Sequence, residues 1–371
     1  MKIIEIKPKI FKFDNYEKFF KEFNINEKDL IFTNKRLFND FFKKLNLKCQ
    51  YIFKDEYKFN EPNDEVIDKI LKDISNKSFN RVIAIGGGSI VDVGKLLVLK
   101  DVTSTEKLFN KEISIIKDKE LIIIPTTCGT GSEVTNISIT EIKSKETKMG
   151  LASDELFPDY AILIPELCKS IPYEFFVYSS IDALIHAIES YVSPKANLYT
   201  EMFSIEAIKL IIKGYKEIIK NGKEYRKEII EDFLIASNYS GIAFGNAGVG
   251  AVHALSYPLG AKYHVSHGEA NYQFFIEVFK FYNLKIPNGK IEKLNNMLSE
   301  ILLVEKNMVY EEIDGILNNL IKRKSLREYG MREEEVKKFA TSVKIAQQRL
   351  LNNNYVYMSE EDIVKIYKKL Y

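Results

Sequence analysis

Cysteine is scarce in this sequence: Cys49, Cys128 and Cys168 are the only three among 371 residues, and no two of them form a CxxC pair. Such scattered cysteines exclude a disulfide framework and a thiolate zinc site, and they are typical of a reducing compartment. The sequence also has no run of 18 apolar residues, and its N-terminus lacks the apolar core of a signal peptide. These absences predict a cytoplasmic protein with no membrane partner.

Net charge is nearly absent as well. The 54 Lys and Arg residues almost balance the 52 Asp and Glu residues, and no basic block stands out. A nucleic-acid partner is therefore not expected. The length of 371 residues is about twice that of a usual domain, which predicts two domains.

The two halves of the chain carry different patterns. The first half alternates short apolar runs with helical periodicity, which predicts a parallel sheet with crossover helices. The predicted strands are Leu30–Thr33, Tyr51–Phe53, Arg81–Ile85, Leu121–Ile124 and Tyr160–Ile164, and the predicted helices between them are Glu65–Ile74 and Val91–Leu99. We therefore predict an α/β nucleotide-binding domain over residues 1–172.

From about Tyr173 onward only helical periodicity remains. The predicted helices are Ile181–Tyr191, Tyr199–Ile219, Lys227–Ser240, Lys290–Leu302, Val309–Ile321, Arg332–Asn352 and Ser359–Leu370. This pattern predicts an all-helical domain over residues 173–371.

Two glycine-containing segments follow predicted strands. In the first, Gly86, Gly87, Gly88 and Ser89 lead from a strand into a helix, where free N–H groups can hold a phosphate. Glycines alone fit a tight turn without a ligand equally well. The second segment, Pro125–Glu133, adds hydroxyl groups and two more glycines. Both segments would lie at the carboxyl ends of parallel strands and would line one nucleotide-binding crevice, although neither has the GxGxxG spacing.

The histidines are few and all lie in the helical half. Asp182 precedes His186 by four residues, which places both side chains on one face of a helix. His253 and His267 flank Pro258 and Gly260, and a Pro-Gly turn there would return both to one point. One carboxylate and several imidazoles suit iron or zinc with an open coordination position. The alternative from spacing alone is a set of unrelated surface or core histidines.

Four motifs together resemble the iron-containing alcohol dehydrogenases. They are GGGSIVDVGK, PTTCGTGSE, IDALIHAIESYVS and HALSYPLGAKYHVSHGEAN, and they occur in the family's order and spacing over about residues 80–275. The resemblance implies a metal-dependent hydride transfer between a nicotinamide cofactor and a small alcohol or aldehyde. Chain length and the last motif look most like the branch that interconverts 4-hydroxybutyrate and succinate semialdehyde.

The resemblance also implies cofactors, fold and assembly. It implies Fe(II), with zinc as a possible substitute, and NAD as the cofactor. It further implies an N-terminal nucleotide domain, a helical metal domain and a homo-oligomer.

The resemblance assigns site residues as well. The metal ligands fall on Asp182, His186, His253 and His267. The cofactor contacts fall on Gly86, Gly87, Gly88, Ser89, Asp92, Thr126, Thr127, Thr130, Ser132 and Lys148.

Three positions set this sequence apart from many family members. Tyr257 stands where many have a histidine proposed to relay the alcohol proton. Asn34 stands where many have an aspartate that contacts the adenosine ribose. His264 lies where no ligand is expected and is a candidate for the substrate pocket. Tyr257 and His264 are therefore the candidate catalytic residues.

Three alternatives remain open at this point. One is another iron-dependent alcohol or diol dehydrogenase. Another is a metal- and NAD-dependent lyase of the dehydroquinate synthase type, which would need several basic side chains around the metal; Lys262 is the single basic residue in the motifs near it. The third is a non-catalytic protein that keeps metal and cofactor for folding or assembly.

Overall fold

The computed structural model describes residues 2–59, 61–145 and 147–371. The described chain divides into two compact units. One is Ile6–Ile171, and the other is Pro172–Tyr371 together with the N-terminal residues up to Glu5. None of the described helices has the length and apolar composition that crossing a membrane requires.

The first unit is built on a six-stranded parallel sheet in the order β1-β8-β5-β4-β2-β3, with a separate antiparallel hairpin of β6 and β7. The strands are β1 (Lys9–Lys12), β2 (Asp29–Thr33), β3 (Gln50–Phe53), β4 (Arg81–Gly86), β5 (Glu120–Pro125), β6 (Ile137–Ile142), β7 (Thr147–Ala152) and β8 (Tyr160–Leu163). Five of the six sheet strands lie where the sequence predicts them. The edge strand β1 and the hairpin were not predicted.

The central strands β4 and β5 are apolar after their first residue because both faces of the sheet are covered. Successive side chains alternate between two hydrophobic clusters: Val82 and Ala84 pack in one, and Ile83 and Ile85 pack in the other. The helices of this unit are α1 (Tyr16–Glu22), α2 (Lys35–Leu37), α3 (Asp64–Ile74), α4 (Gly88–Leu96), α5 (Thr105–Phe109) and α6 (Pro165–Cys168).

The second unit is helical throughout its described elements. Its helices are α7 (Tyr173–Val192), α8 (Leu198–Asn221), α9 (Ile230–Ala247), α10 (Ala251–Tyr263), α11 (His267–Lys285), α12 (Lys290–Leu302), α13 (Val309–Leu320), α14 (Glu335–Ala346), α15 (Gln348–Leu351) and α16 (Glu360–Leu370). Helix α7 is buried almost completely from Phe176 to Val192 and packs against α8, α9 and α11. A helix that is buried on all sides lies at the centre of its bundle.

Two predictions about this unit are wrong. The segment Arg332–Asn352 is not one helix, because α14 ends at Ala346 and Gln347 leaves the helical conformation. The Pro-Gly turn between His253 and His267 is absent, since Pro258 and Gly260 lie inside α10. Leu255 and Leu259, one turn apart, are fully buried, and their burial opposes the roughly 3 kcal/mol that a proline inside a helix costs.

Candidate metal centre and cofactor loops

Three helices bring four potential metal ligands together. Asp182 and His186 lie one turn apart on α7, His253 lies in the first turn of α10, and His267 is the first residue of α11. The chain reverses between α10 and α11 at His264, whose φ of +54° is left-handed, and not at Pro258. One potential ligand atom from each of the four side chains lies within 4.8 Å of the others.

The separations within this cluster match the requirements of an ion. Nε2 of His253 and Nε2 of His267 each lie 3.7 Å from Oδ1 of Asp182, and Nδ1 of His186 lies 3.9 Å from Oδ2. These distances are too long for hydrogen bonds. Two ligands about 2.1 Å from a tetrahedral ion lie about 3.4 Å apart, close to what is observed.

Burial and charge also fit a cation at this place. Asp182, His186 and His253 are buried, whereas the side chain of His267 is 32% exposed. Within the described chain, the buried Nε2 of His253 has no hydrogen-bond partner, an arrangement that proteins rarely leave without an ion or water. Burial alone raises the pKa of Asp182, but the three imidazoles and an amide outweigh it and hold that pKa below its usual value. The donor set therefore fits a divalent metal.

Three further side chains, none of them predicted as a site residue from the sequence, support the cluster. Glu189, one turn after His186 on α7, bonds Nδ1 of His253 at 2.6 Å. Asn271 on α11 donates to Oδ1 of Asp182 at 2.7 Å. Ser256 on α10 in turn donates to Oδ1 of Asn271. Helical spacing from the ligands is the signal that could have found Glu189 and Asn271.

The two candidate catalytic residues differ in location. Tyr257 is half-buried, one turn after His253, and its ring centroid lies 6.1 Å from that of His267. His264 is exposed at the end of α10 and is not part of the four-residue cluster. Tyr257 is therefore adjacent to the cluster, and nothing in the contacts of His264 connects it to the ligands.

In the other unit, the two glycine-containing loops lie side by side. They leave the carboxyl ends of β4 and β5, whose last residues Gly86 and Pro125 are paired, and Thr126 donates its backbone N–H to the Gly86 carbonyl at 3.0 Å. A Cβ on Gly87 would lie 3.2 Å from Thr127 Cγ2, and one on Gly88 would lie 2.8 Å from Thr130 Cγ2. A side chain at either glycine would push the threonines of the second loop away, so glycine allows this close contact between the loops.

The start of α4 has the properties of a phosphate site. Gly87 precedes the helix and supplies no side-chain cap, so the first N–H groups of α4 are not bonded by a cap. The threonines of the second loop pack directly beside this helix start. Such a helix N-terminus attracts anions through its N–H groups and its dipole.

Asp92 and Ser132, both predicted cofactor contacts, bond to each other in a buried network. Ser132 Oγ donates to Asp92 Oδ1 at 2.7 Å. Lys95, which is fully buried, donates to Ser132 Oγ at 2.7 Å, to Thr135 Oγ1 at 3.0 Å and to the Ile137 carbonyl at 2.6 Å. Lys95 therefore ties the second loop to α4. The helical spacing of Asp92 and Lys95 could have indicated this role.

Charged groups surround the neighbouring strand ends. Lys54, directly after β3, donates to Ser89 Oγ at 2.8 Å, which places an ammonium group beside the helix start of α4. Asn34 Oδ1 accepts a hydrogen bond from Leu37 N at 2.8 Å and so caps α2. The backbone N–H of Lys35, the residue after Asn34, donates to Asp55 Oδ2 at 2.6 Å. Neither Lys54 nor Asp55 is among the site residues predicted from the sequence.

Two other residues of this unit have specific surroundings. Lys148 lies on β7, with its Nζ 3.5 Å from Glu61 Oε2. Cys128 is fully buried, and a hydrogen bond with Cys168 together with burial raises the pKa of its thiol well above the usual value. A high thiol pKa disfavours the nucleophilic thiolate, so Cys128 is not expected to act as a nucleophile.

Comparisons with known proteins give one consistent result. Residues 10–165 match the model of the iron-containing alcohol dehydrogenases, and residues 176–371 match the C-terminal model of the same family. The chain is 55% identical over 371 residues, all of both chains, to 4-hydroxybutyrate dehydrogenase of Clostridium kluyveri. It is 33% identical over 319 residues to long-chain-alcohol dehydrogenase 1 of Geobacillus thermodenitrificans, covering 83% of this chain and 79% of that one.

A solved structure supports the fold. Sulfoacetaldehyde reductase from Bifidobacterium kashiwanohense, in complex with NAD+, superposes with a TM-score of 0.86 at 21% identity. The match covers 99% of this chain and 98% of that one. At this identity the likeness concerns the fold alone, an α/β unit followed by a helical unit.

Proposed function

This chain belongs to the iron-containing alcohol dehydrogenase family, and we propose that it interconverts 4-hydroxybutyrate and succinate semialdehyde with NAD. The choice of substrate is supported by the full-length relative from Clostridium kluyveri, which is named 4-hydroxybutyrate dehydrogenase. The observation that carries the proposed chemistry is the cluster of Asp182, His186, His253 and His267, whose ligand atoms lie within 4.8 Å of one another.

These four side chains would hold the metal. Iron is the family's metal, and zinc accepts the same nitrogen and oxygen donors. A bound divalent ion supplies Lewis acidity, which polarises the oxygen of an alcohol or aldehyde. The side chain of His267 is the most exposed of the four, so substrate would approach the cluster from its side.

The loops after β4 and β5 would hold the cofactor. In this proposal the N–H groups of Gly87, Gly88 and Ser89 bind the pyrophosphate. The hydroxyls of Thr126, Thr127 and Thr130 bond the nicotinamide ribose or amide. Lys148 and Asn34 contact the cofactor at the positions that the family resemblance assigns, and Asp92 and Ser132 hold the second loop through their mutual hydrogen bond. The hydride chemistry belongs to the nicotinamide, and these residues align it.

Tyr257 would orient the substrate or a water molecule beside His267. Its ring lies next to the imidazole, with 6.1 Å between the centroids, and its hydroxyl can both donate and accept. His264 is exposed and outside the cluster, so we give it no part in the chemistry.

The basic residue in the metal-proximal motifs is already paired. Lys262 bonds Glu335, and the hydroxyl of Tyr263 bonds the other oxygen of the same carboxylate. A lyase acting on a polyanion would need such cations directed at its substrate. The pairing therefore favours the dehydrogenase over the dehydroquinate synthase type of chemistry.

We also infer a homo-oligomer. Three apolar side chains at the start of α8 are at least half exposed: Leu198 (83%), Tyr199 (50%) and Met202 (52%). Neighbouring exposed apolar side chains are typical of an interface. Light scattering on the purified protein measures the assembly directly.

A substrate panel tests the proposed activity. The iron-loaded enzyme is supplied with NAD and with 4-hydroxybutyrate, 1,4-butanediol, 1-butanol or 1,3-propanediol, and NADH formation is followed by absorbance. We expect the highest kcat/KM for 4-hydroxybutyrate. A higher value for the uncharged diols or 1-butanol would contradict the substrate assignment while leaving the dehydrogenase chemistry intact, and no turnover of any member would contradict both.

A further inference from the structure

The Glu189 carboxylate uses its two oxygens for two different partners. Oε2 lies 2.6 Å from Nδ1 of His253, and Oε1 accepts a hydrogen bond of 2.7 Å from the backbone N–H of Val252. Glu189 is 2% exposed. It lies on α7, whereas both partners lie in the first turn of α10. One buried carboxylate therefore joins the two helices that carry three of the four proposed ligands.

The hydrogen bond fixes which nitrogen of His253 carries the proton. An ionised carboxylate only accepts hydrogen bonds, so Nδ1 must donate. A neutral imidazole has one N–H, which leaves the lone pair on Nε2. Nε2 is the atom 3.7 Å from Oδ1 of Asp182, and it has no hydrogen-bond partner among the described residues. The ring is thus held in the tautomer that a metal requires.

The start of α10 holds this carboxylate in place. Gly250 precedes the helix and supplies no side-chain cap. Glu189 Oε1 and Asn354 Oδ1 instead accept from the first two N–H groups of the helix, those of Val252 and Ala251. A Cβ at Gly250 would lie 2.6 Å from Asn354 Oδ1 and 3.3 Å from Glu189 Oε1, so glycine keeps the space for both acceptors open.

We propose that Glu189 is a positioning residue of the metal centre, which sets the tautomer and orientation of His253 and thereby the affinity for the metal. This inference rests on the proposed function, since it requires His253 to be a ligand. Carboxylate partners of metal-binding histidines typically contribute ten- to a hundredfold in metal affinity.

Glu189→Gln separates this role from a purely structural one. The glutamine oxygen can still accept from Val252, so α10 keeps its cap. Its amide group then faces Nδ1 of His253 as a donor, which favours the tautomer with the proton on Nε2, and that nitrogen cannot bind a metal. The matched control is Glu174→Gln, an exposed glutamate near the start of the same helix.

Metal affinity is measured on the full-length, metal-free proteins with Zn²⁺ alone, in competition with a chromophoric chelator. We expect Glu189→Gln to bind Zn²⁺ roughly ten- to a hundredfold more weakly, with Glu174→Gln unchanged. The visible spectrum of the Co²⁺-loaded protein should lose intensity in Glu189→Gln, and the urea midpoint of the metal-free variant should equal that of the wild type.

Other outcomes count against the proposal in distinguishable ways. Wild-type Zn²⁺ affinity in Glu189→Gln overturns the positioning role alone, as does a lowered urea midpoint with unchanged affinity. If the wild type itself binds no Zn²⁺ at the cluster, the metal assignment under the proposed function fails as well. Should Glu189→Gln not fold, Glu189→Asp takes its place, because the shorter carboxylate keeps the charge but moves away from His253 and should weaken Zn²⁺ binding in the same direction.

Discussion

Asn271 donates a hydrogen bond from Nδ2 to Oδ1 of Asp182 at 2.7 Å, and this bond joins α11 to α7 at the centre of the helical unit. The same Oδ1 is the oxygen that lies 3.7 Å from both His253 and His267. Asn271 is itself oriented by Ser256, which donates to its Oδ1. The orientation of the carboxylate is therefore set by side chains from all three helices of the cluster.

Replacing Asn271 by alanine should destabilise the metal-free protein. The buried Asp182 would lose its amide donor, and the loss of a partner from a buried polar group costs about 1–3 kcal/mol. Urea unfolding of the metal-free variant measures this free energy, and Asn319→Ala, on an exposed asparagine of α13, is the control. Saturating Zn²⁺ should recover part of the loss, because the ion partners the same carboxylate. Equal unfolding free energies for the variant and the wild type would show that the bond contributes little.

His267→Ala should abolish turnover while leaving cofactor binding intact. His267 is one of four proposed ligands, whereas the loops proposed to bind phosphate belong to β4 and β5 of the other unit. Activity with 4-hydroxybutyrate and NADH binding, followed by cofactor fluorescence, are measured on the same preparation. Near-normal turnover with full metal occupancy would show that His267 is not a ligand.

Much of the site follows from residue spacing. Asp182 and His186 share a helix face because they are four residues apart, and the buried strands β4 and β5 place both loops at one end of the sheet. The sequence did not show how the chain brings His253 close to Asp182 and His186. A proline normally indicates a break, yet Pro258 is accommodated within α10, and the reversal occurs at the left-handed His264.

Helical spacing makes the supporting residues candidates, but it does not by itself show that they are buried. Glu189, Asn271 and Lys95 are polar residues at helical positions, where an exposed location is the usual outcome. Their burial depends on contacts with other elements, such as the 2.7 Å bond from Lys95 to Ser132, 37 residues away. Tertiary packing, which local periodicity does not encode, decides their role.

Lys95 should make stability depend on alkaline pH. Burial lowers the pKa of Lys95 from 10.5 to about 8, so the folded protein releases this proton at a lower pH than the unfolded chain does. Between these two values the unfolded state binds more protons, and stability therefore rises with pH. Below pH 8 the cost of burying the charge is present in full, and it is relieved as the pH approaches 10.5.

The measurement is the difference in unfolding free energy between wild type and Lys95→Met from pH 7 to 10.5, since other titrating groups largely cancel in that difference. We expect the unfolding free energy of the wild type to rise relative to that of Lys95→Met by up to about 3 kcal/mol over this range, at about 1.36 kcal/mol per pKa unit. A constant difference would mean that Lys95 titrates with its ordinary pKa. Lys95→Met should also raise KM for NAD, because the second loop loses the hydrogen bond that ties Ser132 to α4.

Tyr257→Phe should lower kcat modestly, within about tenfold, because the proposed role of the hydroxyl is to orient the substrate or a water molecule. Removing a true general acid or base costs about 10²–10⁴-fold. Phenylalanine keeps the ring beside His267, so metal content serves as the control for an intact site. A loss of kcat in the upper part of the 10²–10⁴-fold range, with metal and cofactor still bound, would assign proton transfer to Tyr257.

Asn34→Asp should widen the preference for NAD over NADP. An acidic residue at this strand end bonds the ribose hydroxyls and repels the 2′-phosphate, and the amide of Asn34 lacks that repulsion. Aspartate is as good a helix cap as asparagine, so the 2.8 Å bond to Leu37 N should survive and the fold should not change. Asp55, bonded to Lys35 N, already provides one negative charge nearby, which supports NAD as the preferred cofactor of the wild type.

The values to compare are kcat/KM with NAD and with NADP in wild type, Asn34→Asp and Asp55→Asn. We expect the NAD:NADP ratio to rise in Asn34→Asp and to fall in Asp55→Asn, because like-charge repulsion of the 2′-phosphate increases in the first and decreases in the second. Lys54 lies beside Ser89, where it would contact the pyrophosphate that both cofactors share. Lys54→Met should therefore raise KM for NAD and for NADP by similar factors and leave the NAD:NADP ratio of kcat/KM unchanged. A wild-type preference for NADP, or a ratio that Asn34→Asp does not move, would show that selectivity is set elsewhere than at the end of β2.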